Sequence, residues 1–161
     1  MPTDPSSGSA SAEDRAVGCL LGLPVGDAVG TTLEFCPPGT FEPLDDMKGG
    51  GPFQLRPGQW TDDTSMALCL ATSLVESGGF DEADQMRRYV DWWRNGYLSC
   101  KDYCFDIGNT VSEALGRFED NGDPFAGSDD PRSAGNGSIM RLAPVPIYWA
   151  DSPAEAIANA A

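Results

Sequence analysis

The residues best equipped for chemistry are WTDDTS, positions 60–65, where two adjacent carboxylates stand between hydroxyl residues. A long irregular stretch meets an apolar helical pattern there. One reading is structural: Thr61 caps the helix, and Asp62 and Asp63 face the positive end of its dipole, worth roughly 0.3–1 kcal/mol. One cap and one acid would suffice for that. The other reading is that the neighbouring acids repel, and that a divalent cation relieves the repulsion. A prenyl-diphosphate site would need a further acid one turn on, where Met66 and Ala67 stand. Glu34, between Leu33 and Phe35, is either a surface residue or a carboxyl tuned by an apolar setting. Asp27 either lines a groove or is merely exposed. FDIGNT (105–110) and SAGNGSIMR (133–141) place small residues and Asn ahead of helix starts. Backbone N–H groups at such starts suit a phosphate, and they equally suit ordinary caps and turns.

Composition narrows the chemistry. The 161 residues hold 10 Lys and Arg against 25 Asp and Glu, a formal charge of −15, which repels nucleic-acid backbones and anionic lipid. There is no histidine, so His-based nucleophile pairs and the usual zinc ligand are excluded. Any metal is hard and oxygen-bound. Cys19, Cys36, Cys69, Cys100 and Cys104 form no CxxC pair and read as reduced, mostly buried thiols of a cytoplasmic protein, a Cys100–Cys104 link being the lesser alternative. No apolar stretch is expected to reach membrane-spanning length, and the N-terminus lacks the features of a secretory signal.

The elements that must position these residues read as helices. Residues 1–11 form a Ser/Pro/Gly tail, and 12–161 the folded part. Ser11 caps a helix through residue 30 in which Gly18, Gly22, Gly26 and Gly30 share nearly one face, for tight packing or for a groove. Residues 36–60 form a long Pro/Gly-rich loop. The next helix carries Met66, Ala67, Leu70, Ala71 and Leu74 and stops at Gly78 and Gly79. Asp81 caps another, with Met86, Tyr89, Val90 and Trp93 inward. A fourth presents Val111, Leu115 and Phe118. Pro144 and Pro146 should break the segment after residue 138, and a last helix runs from Pro153 to the final Ala161 without a cap. Strand alternation is nearly absent, so the fold class is all-α.

Taken in order, GCLLGLPVGDAVGTTLEF, GQWTDDTSMALCLATSL, FDIGNT and SAGNGSIMRLAPVPI resemble the ADP-ribosylglycohydrolase family, the all-helical group of dinitrogenase reductase-activating glycohydrolases and ADP-ribosyl-acceptor hydrolases. The likeness runs from about residue 13 to the C-terminus. It implies a compact orthogonal helical domain, a binuclear Mg²⁺ or Mn²⁺ centre, and hydrolysis of the glycosidic bond between ADP-ribose and a protein side chain. It places Thr61, Asp62 and Asp63 on a metal-binding element and Glu34 at the reaction centre. Asp106, Gly108 and Asn109 fall on an element beside ADP-ribose, and Ser133, Gly135, Asn136 and Gly137 on the loop that holds diphosphate and ribose. Such chemistry needs no histidine, because a carboxylate can deprotonate water while a cation orients the sugar.

One departure is large. The family's second acidic motif, Asp-x-Asp with a following Thr, has no match here, so the sequence reads as the N-terminal half of such an enzyme. The expectations are weak metal binding and little turnover by this chain alone. An open apolar face should favour self-association or a second chain completing the fold. The partner expected is an ADP-ribosylated protein or ADP-ribose derivative, not membrane and not nucleic acid. A crystallin-like structural role, or a module that binds ADP-ribose without cutting it, are the alternatives.

Overall fold

Ser11 opens the first helix through a reciprocal cap: its Oγ accepts from the Asp14 backbone N–H, and the Asp14 carboxylate accepts from the Ser11 N–H. The computed structural model describes residues 9–160, so most of the 1–11 tail lies outside the described residues. The helices are α1 (Ala12–Gly30), α2 (Asp62–Ser77), α3 (Glu82–Asn95), α4 (Asn109–Asn121), α5 (Gly137–Met140), α6 (Pro144–Tyr148) and α7 (Pro153–Ala158). Short 3₁₀ turns lie at Thr31–Leu33 and Pro131–Ser133. Among the described residues there is no strand, only an isolated bridge between Gly50 and Leu55. The chain is all-α.

Helix α2 is the hub, packing on α1, α3, α5 and α6. It contributes Met66, Cys69, Leu70 and Leu74 to the core, which meet Tyr89 and Trp92 of α3, Leu115 of α4 and Val145 of α6. The apolar stripe expected for α2 is thus the core face, with Ala71 only half-buried. On α3 the expected inward side does face the core, Tyr89 buried and Met86, Val90 and Trp93 half-buried against it; Trp92 is buried as well, and the Arg94 guanidinium lies 3.6 Å from the Trp93 ring. Arg88 joins α3 to α2, its Nε donating to Asp84 at 2.5 Å and its Nη2 to Glu76 at 2.6 Å.

Several expectations need correction. The segment after residue 138 is broken as expected, its first helix ending at Met140, but Pro144 and Pro146 also open a new helix. They lie in the first turn of α6, where an N–H has no intrahelical partner to lose. Helix α7 ends at Ala158 with Asn159 in the C-cap position. The cysteines are free, as expected, but only Cys69 is buried; Cys19 and Cys36 are exposed. Ala12–Leu33, 22 residues, is long and apolar enough to cross a membrane by length and composition, contrary to the expectation. Glycines interrupt its apolar side chains without making the segment polar, so its mean hydropathy stays high despite the broken pattern. A β-carbon at Gly18, Gly22, Gly26 or Gly30 would meet nothing within 4 Å, so among the described residues the glycine face packs on nothing. Val17, Leu20, Leu21 and Val25 of the same helix are exposed.

Candidate functional site

Asp27, near the end of α1, holds the site together. Its Oδ2 accepts from the Thr61 N–H at 3.0 Å, the Thr64 N–H at 3.2 Å and the Thr64 hydroxyl at 2.6 Å, and its Oδ1 accepts from the Thr61 hydroxyl at 2.9 Å. Thr61 does occupy the N-cap position of α2, but it makes no side-chain cap. A carboxylate 34 residues upstream caps α2 in its place. Sequence reasoning left Asp27 undecided, since no local spacing signals so distant a cap. The hydroxyl of Thr61, having spent its proton on Asp27, keeps its lone pairs.

With the start of α2 so fixed, Asp62 and Asp63 face a cavity of about 390 Å³ shared with Glu34, Phe35, Asp106, Ile107, Gly108, Asn109, Asn136 and Met140. Glu34 follows the 3₁₀ turn, and its Oε2 accepts from the Thr31 hydroxyl at 3.2 Å. That turn is seated on the long loop: Thr32 donates its hydroxyl to the Gly49 carbonyl at 3.1 Å. Gly51, at φ +65°, lies so close that a β-carbon would come within 2.5 Å of the Thr31 oxygen. Asp106 sits at φ +60° just before α4, a left-handed conformation that Asp tolerates better than most residues.

Crowding without counter-charge sets the electrostatics. Burial first, then the carboxylates of Asp106 and Asp63, pushes Asp62 up to about 8. Asp106 is pushed up to about 7, chiefly by burial and then by Glu34, Asp63 and Asp27. Glu34 and Asp63 are also raised, burial being the largest cause for each. A hydrogen bond between Asp106 and Glu34 favours the proton on Asp106 and ionisation of Glu34. A divalent cation would reverse these shifts, and its preferred ligands are the oxygens present. In chemistry the donor set fits a hard cation. In geometry it is partial: among the described residues no three Asp, Glu or Cys side chains converge as a ligand group.

The glycine-rich loop lies beside the acids. Gly135, Asn136 and Gly137 share a smaller cavity with Asp62, Gly108, Asn109 and Thr110. Gly108 is the N-cap residue of α4 and offers no side chain, so the first-turn N–H groups of α4 are left to water or a ligand. Ser133 is set apart from the acids. It lines a neighbouring cavity of about 310 Å³ with Met66, Tyr89, Gly135 and Arg141. Its carbonyl accepts from the Thr110 hydroxyl at 3.2 Å, which ties the loop to α4. Of the residues expected at the site, the structure therefore joins Glu34, Asp62, Asp63, Asp106, Gly108, Asn109 and Asn136 in one cavity. Gly135 and Gly137 sit one step away, Thr61 stands behind Asp63 beside Glu34, and Ser133 lies on the far side of the loop.

Comparison with known proteins gives a consistent result. The family model for ADP-ribosylglycohydrolase matches residues 8–161. A protein of Pseudomonas putida (strain GB-1) named ADP-ribosylarginine hydrolase Tri1 is 55% identical over 135 residues, 84% of this chain and 36% of that protein. One of the same name from Serratia proteamaculans (strain 568) is 46% identical over 154 residues, 91% of this chain and 42% of the relative. The ADP-ribosyl-[dinitrogen reductase] glycohydrolase of Rhodospirillum rubrum is 38% identical over 90% of this chain and 48% of its own length. A solved structure titled ADP-ribosylglycohydrolase-related protein complex superposes with a TM-score of 0.79 at 46% identity, over 92% of this chain and 47% of that one. The chain thus spans less than half the length of each of these relatives.

Proposed function

Because the chain belongs to the ADP-ribosylglycohydrolase family, we propose that it acts on ADP-ribose joined to a protein side chain, arginine being the acceptor, and hydrolyses the bond between them. The observation that carries this reading is the cavity in which Glu34, Asp62, Asp63 and Asp106 face the Asn136 loop across the start of α4. An acid-lined end and an N–H-rich end side by side match a ribose joined to a diphosphate. The two relatives named as ADP-ribosylarginine hydrolases supply the linkage.

The residues divide the work as follows. The backbone N–H groups at the start of α4 and along 135–137 bind the diphosphate oxygens. Glu34, whose Oε2 accepts from the Thr31 hydroxyl and whose proton affinity burial raises, takes a proton from water as the water oxygen bonds to the anomeric carbon. The carbon–nitrogen bond breaks through an oxocarbenium-like transition state, and the departing guanidine nitrogen takes up a proton. Thr61, Asp62 and Asp63 would hold Mg²⁺ or Mn²⁺. When bound, such an ion orients the ribose and offsets the carboxylate repulsion. Asp27 takes no part in the reaction and keeps Thr61 and the start of α2 in place.

The test is release of ADP-ribose from an ADP-ribosylarginine peptide, with and without Mg²⁺ or Mn²⁺. The expected result is metal-stimulated release by the wild type, and loss of turnover with retained ADP-ribose binding in Glu34→Gln. An E34Q variant as active as the wild type would contradict the assignment. A second reading, binding without cleavage, is favoured by the absence of three converging carboxylates among the described residues. Tight ADP-ribose binding with no release under any metal would select it.

A further inference from the structure

An aromatic row leads away from the acid cavity, with Phe35 at its cavity end. Phe35 lines that cavity with Glu34, and its ring centroid lies 6.4 Å from that of Phe53, edge to face. Phe53 meets Phe105 at 5.4 Å, and Phe105 meets Tyr103 at 6.1 Å. The far end of the row already holds a cation. Lys101 Nζ lies 4.9 Å from the Phe105 centroid and 5.9 Å from that of Tyr103, and donates to the Phe53 carbonyl at 2.7 Å. The near end holds none: Phe35 is 77% exposed.

Burial does not explain why a large apolar ring stands there. Phe35 also adopts φ +62°, a conformation costing roughly 1–2 kcal/mol for a residue with a β-carbon. The backbone imposes it: the Glu34 N–H donates to the Thr31 carbonyl at 3.2 Å and the Cys36 N–H to the Leu33 carbonyl at 2.9 Å, just before Pro37 and Pro38. The result is an open aromatic ring directly after the proposed base, at a cavity whose ionisable lining is wholly acidic. A group that leaves past Phe35 is best matched by one that is planar and positively charged. A guanidinium is both, and it stacks on aromatic faces.

We propose that Phe35 is the acceptor-side platform of the site, on which the guanidinium of an ADP-ribosylated arginine stacks while Glu34 addresses the ribose carbon. This rests on the hydrolase reading and adds what recognises the leaving group. Discrimination follows: a seryl or other neutral acceptor gains nothing from the ring beyond contact area, whereas an arginyl acceptor gains cation–π attraction.

Two probes separate this inference from the reading beneath it. Agmatine, a free alkylguanidinium, and ADP-ribose are titrated separately into the isotopically labelled chain with excess Mg²⁺, followed by amide shifts, for wild type, F35L and F35W. The expected result is agmatine shifts at Phe35 and its neighbours, binding weakened about fivefold in F35L and restored in F35W, and ADP-ribose binding equal in all three. Agmatine binding equally to F35L and wild type, or no agmatine shift near Phe35, would overturn the platform and leave the hydrolase reading intact. A wild type that takes agmatine at Phe35 but no ADP-ribose would sink the hydrolase reading and leave the guanidinium site standing.

Discussion

Asp27 carries the heaviest structural duty of any single residue near the site. It receives four hydrogen bonds from Thr61 and Thr64, two of them from backbone N–H groups with no helical partner. Asp27→Ala should therefore lower the unfolding free energy by about 2 kcal/mol, as the loss of a charged helix cap does, and loosen Thr61 and Asp63 with it. Chemical denaturation checks the number; a variant within about 0.5 kcal/mol of wild type would mean that water replaces the cap. At this scale the acids themselves were legible in the sequence. WTDDTS and Glu34 were singled out, but each alone kept an ordinary reading, a helix start or a surface acid, and it was the order of the four motifs that joined them in one site. What stayed hidden were Asp27 and Phe35. Their roles depend on a neighbour 34 residues away and on a left-handed backbone, and neither leaves a local pattern.

Among the elements, the turn that presents Glu34 depends on a loop that looked structureless in the sequence. Gly51 backs directly onto Thr31, and Thr32 bonds to Gly49. Gly51→Ala adds a β-carbon where backbone already stands, at a φ that alanine disfavours. The expected outcome is a loss of stability of about 1–3 kcal/mol together with a larger loss of ADP-ribose release, because Glu34 moves with the turn. Activity unchanged in a destabilised G51A would show that the loop supports the fold without placing the acid. Helix assignment was legible wherever a stripe and a cap coincided, as in α2 and α3. It found the break ahead of Pro144 but not the helix α6 that follows, since the same residue that breaks a helix interior suits a first turn.

Across the whole molecule, charge dominates. In the metal-free chain Asp62 and Asp106 hold their protons up to about 8 and about 7, against about 4 for a free Asp. Their folded forms bind protons more tightly than their unfolded forms. Their contribution to stability is therefore favourable at low pH and is lost progressively as pH rises from about 4 to about 8. Asp84, lowered by Arg88, acts in the opposite sense and in another window, losing its contribution as pH falls below about 4. Thermal unfolding without metal should thus weaken between about pH 5 and pH 8, and Mg²⁺ should restore part of the loss at the upper end. A melting temperature that is flat over this range, with no response to Mg²⁺, would mean that the acids are not crowded in solution. The exposed Val17, Leu20, Leu21 and Val25 of α1 give a second expectation at this scale. Sedimentation of the chain should find dimers or larger species, and a strict 17.1 kDa monomer at high concentration would refute it.

The central claim is that one cleft, acids on one side and the Gly135–Gly137 loop on the other, receives ADP-ribose. Amide shifts on adding ADP-ribose to the labelled chain with Mg²⁺ test it most directly. Saturable shifts are expected at Asp63, Gly108, Asn109 and Gly135–Gly137, with α3 and α7 silent. Shifts scattered elsewhere, or none at saturating nucleotide, would contradict it.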